Sequence, residues 1–191
     1  MTVGILALQG AVREHARAVE ALGAVVRLVR HPAGLAGLDA LILPGGESTA
    51  MARLARPVGL FPAVRSAVEA GLPVLATCAG LILLADEVAD PGALTGVPTV
   101  GGLAVTVRRN AFGGQLHSGV AELRLADGAP ARGVFIRAPR IESVRPGVEV
   151  LARLGEEPVA VRQGALIGCT FHPELADDDL FHRLLTEGAR P

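Results

Sequence analysis

The sequence predicts an α/β protein with three layers, in which a doubly wound and mostly parallel sheet lies between helices on both faces. Short apolar runs of strand length alternate with segments whose apolar residues recur every three or four positions, as in one-sided helices. The strand-like runs are continuous, which is typical of parallel strands covered on both faces. With 191 residues, half of them apolar, the chain is expected to form a single domain over residues 1–191.

The first half of the chain carries the clearest alternation. A helix is expected after the first strand, where apolar residues stand at positions 12, 16, 19 and 22 and Gly23 follows as a stop. Strands are predicted at residues 3–8, 25–29, 39–44 and 73–77, and further helices at residues 48–54, 62–70 and 81–87.

The second half is richer in strand signals. Residues 86–102 are interrupted by Pro and Gly and predict a long loop, and strands are predicted at residues 103–107, 133–136, 148–154, 158–161 and 165–171. Three aspartates at residues 177–179 begin a predicted closing helix through residue 185, where their charge suits the helix N-terminus. Helix capping is favoured over a metal site, because no other ligand cluster lies nearby in the sequence.

Composition argues against several classes of function. The net charge is −1 and the charges are scattered, and the only aromatic residues are five Phe, so a nucleic-acid interface is not expected. All eighteen basic residues are Arg, which excludes a Schiff-base lysine and a P-loop lysine. No apolar run reaches the roughly 18 residues of a transmembrane helix, and no secretory signal is recognised. Two cysteines at unrelated positions favour a reducing, cytoplasmic compartment.

Cys78 is the candidate nucleophile. In the segment PVLATCAGLILL, residues 73–84, it follows a predicted strand and precedes a small residue, a glycine and a predicted helix. A nucleophile on such a turn projects from the carboxyl end of the sheet, where the helix start favours a thiolate and offers N–H groups to an oxyanion. The alternative is a small buried hydrophobe, as most cysteines are. Cys169, inside a predicted strand with no such turn, is expected to be core packing.

The motif FHPEL at residues 171–175 offers a general base. The residue before a proline is held extended, and residues two apart in an extended chain point the same way, so His172 and Glu174 are expected to be neighbours. The carboxylate would fix the imidazole tautomer while the other ring nitrogen faces outward. The remaining histidines have no comparable setting and are expected to be surface or packing residues: His15, His31, His117 and His182.

The motif LPGGEST at residues 43–49 is a candidate ligand loop. Two adjacent glycines after a buried strand let the backbone approach a ligand and direct N–H groups at it. The loop follows the third predicted strand, at the edge where open α/β sheets bind ligands. The motif is equally compatible with a tight turn in which Ser48 or Thr49 caps the next helix.

Together these motifs resemble class I glutamine amidotransferase domains, which have a flavodoxin-like fold and the triad order Cys, then His-x-Glu. The resemblance extends nearly end to end to the family of glutaminase subunits of two-protein pyridoxal 5′-phosphate synthases. The triad signature is shared by the whole superfamily. Three further stretches single out this family, namely LALQGAVREH at residues 6–15, RRNAFG at residues 108–113 and FIRAP at residues 135–139.

The resemblance implies the chemistry of a glutaminase. Cys78 would attack the side-chain amide carbon of glutamine, with His172 as base and then acid, held by Glu174. The backbone N–H groups of Gly46 and Ala79 would form the oxyanion hole. Water would hydrolyse the resulting thioester to glutamate.

The resemblance also implies a substrate site and a partner. Gln9 would lie beside the active site and couple it to the partner, a barrel-shaped synthase subunit that accepts the ammonia. Pyridoxal 5′-phosphate is then the product of the complex, and this chain needs no cofactor or metal of its own. L-glutamine would be held by Gly46, Glu47, Ser48, Arg109, Ile136 and Arg137.

Two positions depart from the family pattern, and two alternatives stay open. Ala76 stands where relatives usually carry a glycine before the nucleophile, and Gly114 stands where they commonly carry an arginine. One alternative function is the glutaminase of another pathway, or a related cysteine hydrolase of γ-glutamyl compounds. The other is a non-catalytic, thiol-sensing module on the same fold, which would lack a complete triad.

Overall fold

The structure, a computed structural model, describes residues 1–109, 111, 118–176 and 178–189. These residues form twelve strands and five α-helices. The strands are β1 (Thr2–Leu6), β2 (Val25–Val29), β3 (Ala40–Leu43), β4 (Val74–Thr77), β5 (Ala85–Val88), β6 (Leu103–Arg108), β7 (Ser118–Leu125), β8 (Pro130–Ile136), β9 (Arg140–Val144), β10 (Glu149–Leu154), β11 (Glu157–Gln163) and β12 (Leu166–Cys169). The helices are α1 (Val12–Ala21), α2 (Ser48–Ala55), α3 (Leu60–Glu69), α4 (Ala79–Leu84) and α5 (Leu180–Gly188).

A nine-stranded sheet has the order β2-β1-β3-β4-β12-β11-β10-β7-β8. The strands from β2 to β12 are parallel, and the other four pairings are antiparallel. The antiparallel half follows from short connections, such as residues 155–156 between β10 and β11, which cannot hold a crossover helix. A second sheet contains β5, β6 and β9.

Helices cover both faces of the large sheet, as the continuous apolar runs predicted. In β3, Leu41 and Leu43 join a core that includes residues of α2, α3 and α4. Ala40 and Ile42 point to the opposite face and join a core that includes residues of α1 and α5. All four side chains are fully buried, which explains why β3 is apolar at consecutive positions. The predicted three-layer α/β class is confirmed.

Several predicted boundaries in the middle of the chain are wrong. The helix predicted at residues 81–87 is α4, which ends at Leu84, and β5 then extends into the region predicted to be a loop. The sequence pattern also missed β7 and β9. In β9 only Ile141 is buried, so the strand lacks the alternating apolar residues that would have indicated it.

The closing helix α5 begins at Leu180, later than predicted. The N-cap residue is Asp179, which forms no side-chain capping hydrogen bond. The acidic run contributes instead through Asp178, one residue earlier, whose carboxylate accepts a hydrogen bond from the Leu180 N–H at 2.8 Å. Asp177 lies outside the described residues.

Among the residues described, no helix is long and apolar enough to cross a membrane.

Candidate active site

Cys78 lies on the sharp turn between β4 and α4. Its backbone angles are φ 47° and ψ −105°, a sparsely populated conformation for a residue with a side chain. A Cβ added at Gly80 would lie 1.9 Å from the carbonyl oxygen of Leu43, so a glycine is required for α4 to begin this close to the end of β3. Ala76, the departure from the family pattern, is fully buried within β4 and fits there in register with Leu43 and Gly168.

His172 and Glu174 are neighbours beyond the end of β12, as predicted, although the chain between them is not extended as expected, because Pro173–Leu175 form a short 3-10 helix. The Nδ1 atom of His172 lies 2.7 Å from Oε1 of Glu174, and the side chain of Glu174 is fully buried. The backbone N–H of His172 donates to the carbonyl of Val134 at 2.8 Å. This bond to β8 holds the segment that carries the imidazole.

The surroundings of His172 favour its protonated form. Burial lowers the pKa of the imidazole, but hydrogen bonds to Cys78 and Glu174 and the charges of both groups outweigh it and raise the pKa to about 10. At neutral pH the residue is therefore an imidazolium in contact with Cys78. A thiol beside such a cation is the arrangement found in activated cysteine nucleophiles.

The loop after β3 packs directly against the Cys–His pair. A Cβ added at Gly45 would lie 2.3 Å from Cε1 of His172 and 3.3 Å from Cβ of Cys78. The peptide group between Gly46 and Glu47 is held by Gln9, because the Glu47 N–H donates a hydrogen bond to Oε1 of Gln9 at 2.6 Å. The two adjacent glycines thus serve close approach, which supports the prediction of a ligand loop.

The same loop leads into α2, and its cap differs from the predicted one. Neither Ser48 nor Thr49 caps the helix. The carboxylate of Glu47 does so, accepting hydrogen bonds from the N–H groups of Thr49 at 2.9 Å and Ala50 at 2.7 Å. Ser48 is left to face the cleft beside Cys78.

A cleft of about 260 Å³ brings the predicted site residues together. Glu174 lies behind this surface, while every residue expected to contact glutamine lines it. Ile82 also lines it and was not predicted, although its position four residues after Cys78 places it on the same side of α4. The predicted lining residues are Gln9, Gly46, Glu47, Ser48, Cys78, Ala79, Arg109, Ile136, Arg137 and His172.

The two arginines of the cleft differ in their contacts. Arg109 donates from Nη1 to the carbonyl of Pro91 at 2.9 Å, and its Nη2 lies 3.9 Å from Oε1 of Glu47. Arg137 has φ 44°, again strained for a side-chain-bearing residue. Within the described ranges its guanidinium has no hydrogen-bond or ion-pair partner. Gly114 and His117 lie outside the described residues.

The remaining cysteine and histidines are only partly as predicted. Cys169 is fully buried in β12, and burial raises its pKa well above the usual value, which supports core packing. His31 is exposed. His15 and His182 are fully buried, and Nε2 of His15 lies 3.4 Å from Oε2 of Glu174, a link that the sequence analysis missed. Their positions on the apolar faces of α1 and α5 could have indicated burial, but not this contact.

Known proteins resemble this chain over nearly its whole length. Residues 5–188 match the sequence model of the SNO glutamine amidotransferase family. The pyridoxal 5′-phosphate synthase subunit PdxT of Parafrankia sp. (strain EAN1pec) is 52% identical over 190 residues, which are 98% of this chain and 93% of the relative. A crystal structure of a glutamine amidotransferase has a TM-score of 0.91 at 47% identity and covers 98% of both chains. The structure of PurLQS from Thermotoga maritima, with a TM-score of 0.70 at 18% identity over 98% of this chain and 96% of that one, shares the fold.

Proposed function

The chain belongs to the SNO glutamine amidotransferase family, and on this premise we propose that it is the glutaminase subunit of a pyridoxal 5′-phosphate synthase. It hydrolyses L-glutamine to L-glutamate and ammonia and passes the ammonia to a synthase subunit. The observation that carries the chemistry is the 2.7 Å contact between His172 and the buried Glu174, with His172 and the strained Cys78 lining one cleft. The names of its relatives, at about half identity over the whole chain, carry the pathway.

The Cys–His–Glu triad divides the reaction into two steps. The Cys78 thiolate attacks the side-chain amide carbon of glutamine, and the His172 imidazolium gives its proton to the leaving ammonia. The neutral imidazole then takes a proton from water, which attacks the glutamyl thioester and releases glutamate. Glu174 keeps the Nδ1 proton in place and stabilises the imidazolium through both steps.

The oxyanion formed in both steps is stabilised by the backbone N–H groups of Gly46 and Ala79. Ala79 is held by the turn at Cys78, whereas Gly46 belongs to a loop that depends on a side-chain contact. The side-chain oxygen of Gln9 accepts a hydrogen bond from the Glu47 N–H at 2.6 Å. A synthase subunit that docks against Gln9 would therefore shift the loop that carries Gly46. We therefore expect weak activity for the isolated chain and stimulation by its partner.

The polar ends of glutamine are bound at the other side of the cleft. A guanidinium binds a carboxylate in a fork. The guanidinium of Arg137 has no partner among the residues that the structure describes, which supports it as the main contact for the substrate α-carboxylate. Arg109, engaged by Pro91 and Glu47, contributes positive charge nearby. Glu47 lines the cleft, and its negative charge would attract the α-ammonium group. Ser48 and Ile136 complete the wall around the side chain of the substrate.

Two further features of the proposal concern the whole chain. We propose that residues 1–191 are a single domain, because both apolar cores pack on the same nine-stranded sheet. We also propose a cytoplasmic location, which suits two buried cysteines with free thiols.

The test is glutamate release from L-glutamine by the purified chain, with and without a pyridoxal 5′-phosphate synthase subunit. We expect release to rise strongly with that subunit and not with the synthase of another glutamine-dependent pathway. The Cys78→Ala variant is the blank. Equal release with and without the subunit would contradict the coupling, and no release in either condition would overturn the glutaminase assignment.

A further inference from the structure

Two buried histidines stand behind the proposed triad, and the mechanism above does not use them. His15 lies on α1 and His182 on α5, and both are fully buried. Nδ1 of His15 lies 2.9 Å from Nε2 of His182. Nε2 of His15 lies 3.1 Å from Oγ1 of Thr77 and 3.4 Å from Oε2 of Glu174. His15 therefore approaches the carboxylate oxygen that His172 does not contact, while His182 of α5 and Thr77 of β4 hold His15 itself.

That oxygen has little other support. Oε2 of Glu174 is buried and forms no full hydrogen bond with any described residue. A buried carboxylate without a donor on one oxygen is costly to keep ionised. A nitrogen of His15 at 3.4 Å is close enough to compensate that oxygen if it carries the proton.

The hydrogen-bonding pattern decides which nitrogen of His15 is protonated. Burial lowers the pKa of both histidines, that of His182 to about 4, so both rings are neutral at neutral pH. If Nε2 of His15 carries its proton, that proton faces Glu174 and Thr77, and Nδ1 accepts from the Nε2–H of His182. In this arrangement one ring nitrogen of the pair stays unpaired, namely the unprotonated Nδ1 of His182, an acceptor with no partner among the described residues.

The opposite tautomers are worse. A lone pair of His15 would face a carboxylate oxygen, and the Nδ1–H of His182 would be a buried donor without an acceptor, which costs more than an unused acceptor. The charged and titratable groups around the pair act in both directions. His182 and His172 add to the effect of burial in lowering the pKa of His15, whereas Asp179 raises that of His182 without outweighing burial, and Glu174 also faces His15.

We propose that His15, oriented by His182, is a positioning residue that holds the Glu174 carboxylate ionised and aimed at His172. The inference rests on the proposed role of Glu174 in the triad. His15 contacts neither the cleft nor the reacting atoms, and no proton needs to pass through it. Its effect is on how firmly Glu174 holds His172 in its protonated form.

Two variants of His15 separate this role from simple packing. Gln places an amide N–H near the position of Nε2 and can still donate to Glu174, whereas Leu fills similar space without a donor. With the synthase subunit present, we expect His15→Leu to lower kcat about tenfold or more with little change in KM, the effect of a small loss of positioning. The alkaline limb of its pH profile should move to lower pH. His15→Gln should restore most of both, and His182→Leu should show a weaker loss in the same direction.

The controls distinguish failure of this inference from failure of the proposed function. If the wild-type chain with its synthase subunit releases no glutamate, the proposed function fails first. If the wild type is active and His15→Leu keeps the wild-type kcat and pH profile, the positioning role is wrong. Equal losses in His15→Leu and His15→Gln with an unmoved alkaline limb would also overturn it, because they would indicate packing alone. The exposed His31, replaced by Gln, is the matched surface control.

A measurement on the wild type guards against variants that fail to fold. Nitrogen-15 NMR of the histidine rings reports which nitrogen is protonated. We expect the Nε2–H tautomer for both His15 and His182 at neutral pH. A proton on Nδ1 of His15 would overturn the inference whatever the variants do.

Discussion

His172 and Glu174 are two residues apart in the chain, and their side chains meet at 2.7 Å, Nδ1 to Oε1. The carboxylate is fully buried, and it does not line the cleft. Burial lowers the pKa of His172, but Cys78 and Glu174 together raise it to about 10. Replacing Glu174 therefore changes the protonation of the site without changing its walls.

Glu174→Gln is expected to lower kcat about a hundredfold or more while KM changes little, because the imidazole loses its fixed tautomer and its counter-charge. The alkaline limb of kcat/KM should move from near pH 10 to lower pH, because the imidazolium is then lost earlier. The measurement is initial rates of glutamate release across the alkaline range with the synthase subunit present. Circular dichroism over the same range controls for unfolding, and an unmoved limb in a folded variant would contradict the role of Glu174.

The two cysteines provide a matched pair for identifying the nucleophile. Cys78 lies in the cleft and Cys169 is fully buried in β12. We expect Cys78→Ser to abolish glutamate release, since a hydroxyl beside this imidazole is a far weaker nucleophile. Cys169→Ser should retain most of it. Steady-state assays of both variants at equal folded concentration decide the assignment, and the reverse pattern would overturn it.

Gly45 tests whether the loop must touch the Cys–His pair. In Gly45→Ala the new Cβ would fall 2.3 Å from Cε1 of His172, so the imidazole or the loop has to move. A displacement of about 1 Å can cost about a hundredfold in rate, and we expect a loss of that order in kcat. Gly188→Ala is the control, because a Cβ there meets no atom within 4 Å. A Gly45→Ala enzyme with wild-type kcat would show that this approach is not needed.

The sequence predicted which residues meet in the cleft better than it predicted the residues that pack behind them. His172 and Glu174 could be paired from their closeness in the chain, although the extended geometry assumed for them is replaced by a short 3-10 helix over Pro173–Leu175. The turn at Cys78 is also local. The contact between Glu174 and His15 joins residues 159 positions apart, and no local pattern encodes which helix packs behind a strand end. Strands such as β9 were missed for another reason, because they bury a single side chain and therefore lack an alternating apolar pattern.

Arg137 is expected to contribute to substrate binding more than to the chemical step. Arg137→Gln should raise the KM for L-glutamine about tenfold to a hundredfold with a smaller change in kcat, the loss expected for a charge-assisted hydrogen bond to a carboxylate. Arg109→Gln should have a smaller effect, because Arg109 is already engaged by Pro91 and Glu47. Saturation curves for both variants test this order, with the exposed Arg53→Gln as control. A larger KM for Arg109→Gln would assign the α-carboxylate contact to Arg109 instead.

His15 and His182, the two buried histidines with lowered pKa values, should make folding sensitive to acid. The pKa of His182 is lowered to about 4 by burial, against about 6.5 in the unfolded chain. Between these values the unfolded state binds a proton that the folded state does not, so the free energy of unfolding falls as pH falls, by up to about 1.4 kcal/mol per pH unit for one histidine. His15, whose pKa is also lowered, adds to this loss.

His182→Leu should remove its share of that acid sensitivity. Urea unfolding near pH 7.5, above the unfolded histidine pKa of about 6.5, and near pH 5, below it, gives the loss of stability between the two conditions for each protein. We expect a smaller loss for His182→Leu than for the wild type, and a wild-type loss for His31→Leu, whose histidine is exposed. Equal losses in the wild type and His182→Leu would mean that His182 takes up its proton in the folded state as readily as in the unfolded chain.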